Sequence, residues 1–281
     1  MAIGLLISCP IWAATLDEAE ELYRSGNMLE AARLARASGT TDGFALAAKA
    51  GLVDAVYFAP EDHRADALQA AADDAERALE IDPNHVGAML RLAMVLGHLA
   101  ELEDPVSAHL KGYAHQGRLL LDRALALAPD DPWANGLLGI WHLQIVEHGG
   151  GALAQGFYGA SREEGRRLCA RALELDPEAT AIAFGCARSL LDLNPTGYRE
   201  AALAAFRQVV AAPAEDVPAK LLRAEAWAEI QKIRRMAAPP ASRRSGRRSG
   251  AARPDPPAHR RSAVPRHRAA AARSAATSAA A

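Results

Sequence analysis

The sequence predicts an all-α chain, a right-handed solenoid of about four or five helix pairs. Three observations predict it. One phrase recurs: Arg77-Ala78-Leu79-Glu80-Ile81-Asp82-Pro83, then Arg123-Ala124-Leu125-Ala126-Leu127-Ala128-Pro129, then Arg171-Ala172-Leu173-Glu174-Leu175-Asp176-Pro177. Its Ala/Leu content favours helix, and its proline stops the helix and pushes the preceding residue out of the helical region. After each proline a helical apolar pattern restarts, as in Met89, Leu92, Ala93 and Leu96, and in Ala183, Cys186, Ala187 and Leu190. The restart after Pro129, through Asn135, Leu138, Gly139 and His142, is weaker. Composition agrees: aromatics are only 5% and alanine is abundant, which suits close helix packing, and no stretch carries a strand signal.

The elements follow in order. Residues 15–38 form a compact helical pair, with Asp17 and Glu18 in a first turn where acids favour the helix dipole, and Gly26-Asn27 as the turn. Residues 39–43 are a capping loop. Residues 44–58 and 65–81 form the next pair, separated by a turn at Pro60-Glu61-Asp62. Residues 86–102 follow. Asp104-Pro105 opens a first insertion, and 106–127 reads as one helix running from that insertion into the repeat. Residues 132–147 are next, broken by His148-Gly149-Gly150-Gly151. A second insertion runs to Tyr158, and Ser161-Arg162-Glu163-Glu164 is a capping box for a helix ending at Leu175. Residues 179–193 and 197–210 form the last pair. Residues 216–235 read as an amphipathic cap with Leu221, Leu222, Ala226 and Ile230 facing inward. Ala93, Gly139 and Ala187 are small enough to let paired helices approach closely.

The spacing of Ala71, Ala78 and Pro83, of Gly117, Ala124 and Pro129, and of Gly165, Ala172 and Pro177 resembles the tetratricopeptide repeat (TPR). The period departs from it. Successive prolines lie 46 and 48 residues apart, against about 34 in the usual repeat, so each middle repeat carries an insertion of roughly 12 to 14 residues. With Lys111-Gly112-Tyr113 ahead of one repeat helix and Leu138-Gly139-Ile140-Trp141-His142 in the next, the stretch 65–193 resembles the helical-repeat core of the regulator of microtubule dynamics family and its bacterial relatives. A looser resemblance is to the periplasmic helical-repeat component associated with TRAP-type solute transporters. Neither resemblance implies catalytic residues or a cofactor.

Charge divides the chain. From Ala237 onward ten arginines face one aspartate, so the body before them is acidic although the net charge is −2. The stretch 237–281 has one Val and no Leu, Ile, Phe, Trp or Tyr, too little to form a core, and reads as a disordered or frameshifted tail. Without interleaved aromatics it does not predict specific nucleic-acid binding. Residues 1–14 are apolar and, although they lack a basic start, resemble a secretory signal cleaved near Ala14. A periplasmic or secreted location is then the expectation and a cytoplasmic one the alternative. Cys9 also fits a lipid anchor, disfavoured by the proline after it. Residues 15–236 are then the repeat domain. No run beyond the leader approaches a membrane span.

Candidate chemistry is sparse. His98, His109, His115, His142 and His148 lack ligand spacing, so no metal is expected. Gly149-Gly150-Gly151 follows a helix without a lysine, unlike a phosphate loop. Cys169 and Cys186 fall on packed positions of neighbouring helices; buried thiols are the default, and export makes a disulfide conceivable. No nucleophile has its base and acid at motif spacing, and paired acids such as Asp73-Asp74 and Glu163-Glu164 read as solvated faces, so no enzyme is expected. The expectation is a non-catalytic interaction or scaffold module that binds a protein or peptide, or itself, through a concave groove. Counting from the prolines places Trp133, Ile140, Leu143, Phe184 and Arg188 in that groove. Lys111, Tyr113, Phe157 and Tyr158 are the candidates on the insertions, which could instead fold over the groove and bury its apolar groups. The alternative is a solute-handling role beside a transporter, with a small ligand between solenoid and insertions.

Overall fold

The computed structural model describes residues 11–237, and the expectations for residues 1–10, Cys9 included, and for the tail after Ala237 lie outside them. The helices α1 (Ile11–Ser25) and α2 (Met28–Ala37) form the first pair, and α3 (Thr41–Tyr57) and α4 (Arg64–Ile81) the second. Helices α5 (Val86–Glu101) and α7 (Tyr113–Leu127) form the third, with the short α6 (Pro105–Lys111) inserted between them. Helices α8 (Pro132–Gly149) and α10 (Arg162–Leu175) form the fourth, with α9 (Gly151–Leu153) and a π turn at Ala154–Tyr158 inserted. Helices α11 (Thr180–Leu193) and α12 (Arg199–Ala211) form the fifth, and α13 (Val217–Ala237) follows. No strand occurs among the described residues, so the fold is an all-α solenoid.

The recurring prolines set this frame. Asp82, Ala128 and Asp176 close their helices with φ of −127°, −137° and −142°, the extended backbone that a following proline demands. Asp82 and Asp176 then turn the chain: each side chain accepts from the backbone N–H two residues on, Asn84 and Glu178, at 2.9 Å. The next helices are capped at once. His85 Nδ1 accepts from Ala88 N at 3.0 Å, and the Asp131 carboxylate accepts from Ala134 N at 2.7 Å with Pro132 at the first helical position.

Small residues bring paired helices together at equivalent places. A Cβ added at Gly139 in α8 would lie 2.8 Å from Cys169 N and 2.9 Å from Gly165 O in α10. In the second pair a Cβ on Gly51 would meet the Ala71 Cβ at 3.1 Å. Apolar clusters then run from pair to pair. One joins α3, α4 and α5 around Leu68 and Val95, another joins α5, α7, α8 and α10 around Met89 and Leu138, and a third joins α11, α12 and α13 around Phe206 and Ile230. Each pair is held by its neighbours, as in a one-dimensional array.

Two local expectations are corrected. Residues 106–127 are not one helix: Gly112 sits at φ +73°, a conformation that only glycine adopts without strain, and splits them into α6 and α7. The capping box before α10 is half made. Ser161 accepts from Glu164 N at 3.2 Å, but the Glu164 carboxylate pairs with Arg167 instead of reaching back, and Ser161 N points at His142. Of the residues expected to face inward on α13, Ala226 and Ile230 are buried and Leu221 and Leu222 are half-buried; Ile233, outside that set, is buried as well.

Candidate functional site

The two insertions meet. His109 of α6 and Tyr158 at the end of the π turn are hydrogen-bonded, with rings edge to face at 5.9 Å. Beneath them Tyr158 meets the Trp141 edge at 6.4 Å. The Trp141 indole N–H donates to Ala114 O at 2.9 Å, which locks α8 to the start of α7. The Arg118 guanidinium lies 5.1 Å over the Trp141 ring and pairs with Asp122 at 2.8 Å. The insertions are thus tied to each other and to the frame through one aromatic cluster.

Next to it His142 is 2% exposed and faces two donors. Ser161 N–H points at Nδ1 and the Arg118 guanidinium at Nε2, both at 3.3 Å. A neutral imidazole offers one acceptor nitrogen, so it satisfies only one of them, and a protonated ring satisfies neither. Burial first, and then the Arg118 charge, push the His142 pKa down to about 4. Among the described residues no group of three potential metal ligands gathers.

The insertions also expose large apolar side chains. Val106 and Leu110 on α6 are 67% and 79% exposed, and Leu153 and Phe157 on the second insertion are 60% and 74% exposed. Both pairs are four residues apart and share a helical face. Phe157 therefore does not fold back over the groove. Lys111 pairs with Glu103, an ion pair that raises the lysine pKa, and its ammonium lies 5.9 Å from the Tyr113 ring centre. Tyr113 itself packs on the cluster of α3, α4 and α5.

The five residues expected in the groove divide. Leu143 is fully buried against Gly165 of α10, and Phe184 is 8% exposed against Phe206 of α12 at 5.2 Å, so neither lines an open face. Both lie on the side of their helix that meets its pair partner. Ile140 packs against Gly185 of the next pair. Trp133 is half-buried under the Arg91 guanidinium at 5.2 Å. Arg188 pairs with Asp192 at 3.2 Å and with Glu229 of α13 at 3.3 Å.

Helix α13 crosses the face built by the first helices of the pairs. It packs on α12, and it also reaches the first two pairs: Val217 lies against Gly26, and the Tyr57 hydroxyl donates to Glu225 at 2.8 Å. Burial, with Glu225 beside it, raises the Tyr57 pKa. Sequence patterning alone missed this crossing, because it joins residues 168 positions apart.

Cys169 of α10 and Cys186 of α11 form a disulfide, with Cα atoms 6.0 Å apart. The bond links the fourth pair to the fifth. No helix among the described residues is long and apolar enough to cross a membrane.

The pattern of the regulator of microtubule dynamics protein 1-3 family matches residues 15–150. No curated protein matches the sequence. Among solved structures, a thermophilic TPR protein of Thermus thermophilus superposes with a TM-score of 0.55 at 17% identity, covering 77% of this chain and 99% of that one. MamA (residue 41 to the end) of Desulfovibrio magneticus RS-1 aligns with a TM-score of 0.40 at 17% identity, covering 80% and 96%. The chain is a TPR-like helical-repeat protein whose residues 15–150 match the regulator of microtubule dynamics family.

Proposed function

We propose that this protein is a non-catalytic interaction module that holds a protein partner on the edge where its two insertions meet. The observation that carries this reading is the set Val106, Leu110, Leu153 and Phe157, all exposed on two insertions that His109 and Tyr158 tie together. A lone exposed leucine needs no explanation, but several large ones on adjoining elements mark a contact surface. The groove has less support as the main surface, since Leu143 and Phe184 are buried and α13 lies across it. Arg91 and Trp133 remain there as polar and aromatic side chains, and they favour the second reading, a small ligand held inside the array.

The partner is another protein or a second copy of this chain. An exported location fits the Cys169–Cys186 bond, because structural disulfides persist in oxidising compartments. Leu110→Asp and Phe157→Asp, compared with Trp133→Ala in affinity capture from the native host, test the reading. The two aspartate variants should lose the partner while keeping the wild-type melting temperature. Loss of the partner in Trp133→Ala alone would move the interface into the groove.

A further inference from the structure

The sides of helix α13 carry different chemistry. Ala226, Ile230 and Ile233 are buried in the cluster shared with α11 and α12. Glu225 and Glu229 turn to the first helices of the pairs, where Arg188 lies 3.7 and 3.3 Å from them and the Tyr57 hydroxyl donates to Glu225. The side away from these holds another set. Lys220, Trp227 and Arg234 recur every seven residues along it, and Arg223 and Gln231 lie four residues to either side of Trp227. The five therefore share one helical face, and that face holds no acid. Lys220, Trp227 and Arg234 are exposed, and Arg223 and Gln231 are half-buried. The ion pairs of α13 are those of Glu225 and Glu229 with Arg188 and Lys232, so among the described residues Arg223 and Arg234 have none.

The middle of this stripe is a bare indole. Trp227 is 51% exposed and stands outside the apolar cluster that holds the rest of α13. Its exposed neighbours Ala224 and Ala228 are small, so the ring stands clear of the helix surface. The end of a solenoid needs a polar outer face, but solubility calls for charges of both signs and no exposed tryptophan. The charge is graded along the helix. Lys220 shares a cleft with Glu21, Glu215 and Asp216, so the stripe is most positive from Arg223 to Arg234. The sequence after Ala237 carries the same sign, ten arginines against one aspartate, and attraction to an anionic surface sums over such charges.

We propose that the outer face of α13 docks on an anionic lipid surface, with the Trp227 indole at the headgroup level and the Arg223 and Arg234 guanidinium groups on lipid phosphates. A protein partner would pack a hot-spot tryptophan inside a rim of larger side chains, and the alanines beside Trp227 supply no such rim. Single-stranded nucleic acid would call for a row of stacking rings, and Trp227 is the one aromatic residue of α13. The surface is separate from the partner edge on the insertions and stands or falls without it. It would hold at a membrane a chain in which no described helix is long and apolar enough to cross one.

Flotation of the full chain with vesicles of equal parts phosphatidylglycerol and phosphatidylcholine tests it, with phosphatidylcholine vesicles, single-stranded DNA and polyglutamate as comparisons. The chain should float with the anionic vesicles, come off them as salt is added, and ignore phosphatidylcholine alone. Trp227→Ala should weaken vesicle binding about tenfold, the scale of one large side chain leaving an apolar environment. Arg223→Gln together with Arg234→Gln should weaken it at least about tenfold. All three side chains lie outside the core, so both variants should keep the wild-type melting temperature. Lipids brominated near the headgroup should quench part of the wild-type indole emission, and that part should vanish in Trp227→Ala. Should either variant melt lower, the same quenching compared between wild type and Trp227→Phe carries the test. Failure to float, equal binding to phosphatidylcholine alone, unchanged affinity in either variant, or displacement of the vesicles by DNA or polyglutamate would each overturn the proposal.

Discussion

Gly139 and His142 sit one helical turn apart on α8 and do opposite things. Gly139 lets α8 and α10 touch backbone to backbone, so Gly139→Ala places a methyl 2.8 Å from Cys169 N, which cannot swing away. That substitution should cost about 2 kcal/mol, read as a lower midpoint in thermal or urea unfolding. Its small size was legible in the Leu138-Gly139-Ile140-Trp141 pattern. The environment of His142 was not, because Arg118 and Ser161 reach it from other helices. Its folded pKa, near 4, lies below the ordinary 6.5. The unfolded chain therefore takes the proton first as pH falls. The stability is present above about pH 6.5 and drains toward pH 4, by up to about 3 kcal/mol. Proton-detected NMR titration should find the His142 ring neutral down to below pH 5, and His142→Gln should flatten that part of the pH–stability curve.

Among elements, the disulfide and the insertions extend the plain array. The Cys169–Cys186 bond closes a short loop, with a sequence separation of 17. Removing it through Cys169→Ser should cost about 3 kcal/mol. Stability in an array is shared between neighbours, so the loss should concentrate in α11 to α13 and appear there as faster amide exchange on reduction. The sequence showed both cysteines on facing helices and could not tell thiols from a bond, since that depends on how two sulfurs meet across the interface. The insertions were legible as extra length between the prolines. Their meeting was not: His109 and Tyr158 lie 49 residues apart, and neither belongs to the repeated phrase. The break at Gly112 followed from a glycine that helical periodicity had read through.

For the whole molecule, most of the frame was written in three proline phrases. They gave the helix ends and the pairing, because a proline forces the extended residue at which each pair turns. The phrase cannot encode superhelical closure, which rests on α13 meeting α1 and α3 through Val217 and Glu225. Nor could it place Phe184, whose depth is set by Phe206 in the following helix. In the proposed division of labour the partner edge lies on the insertions and not in the concavity. Photo-crosslinkers placed in turn at Leu110, Phe157 and Trp133 test that division most directly. Positions 110 and 157 should capture the same partner chain, and 133 should capture none. Capture at 133, with 110 and 157 silent, would contradict it.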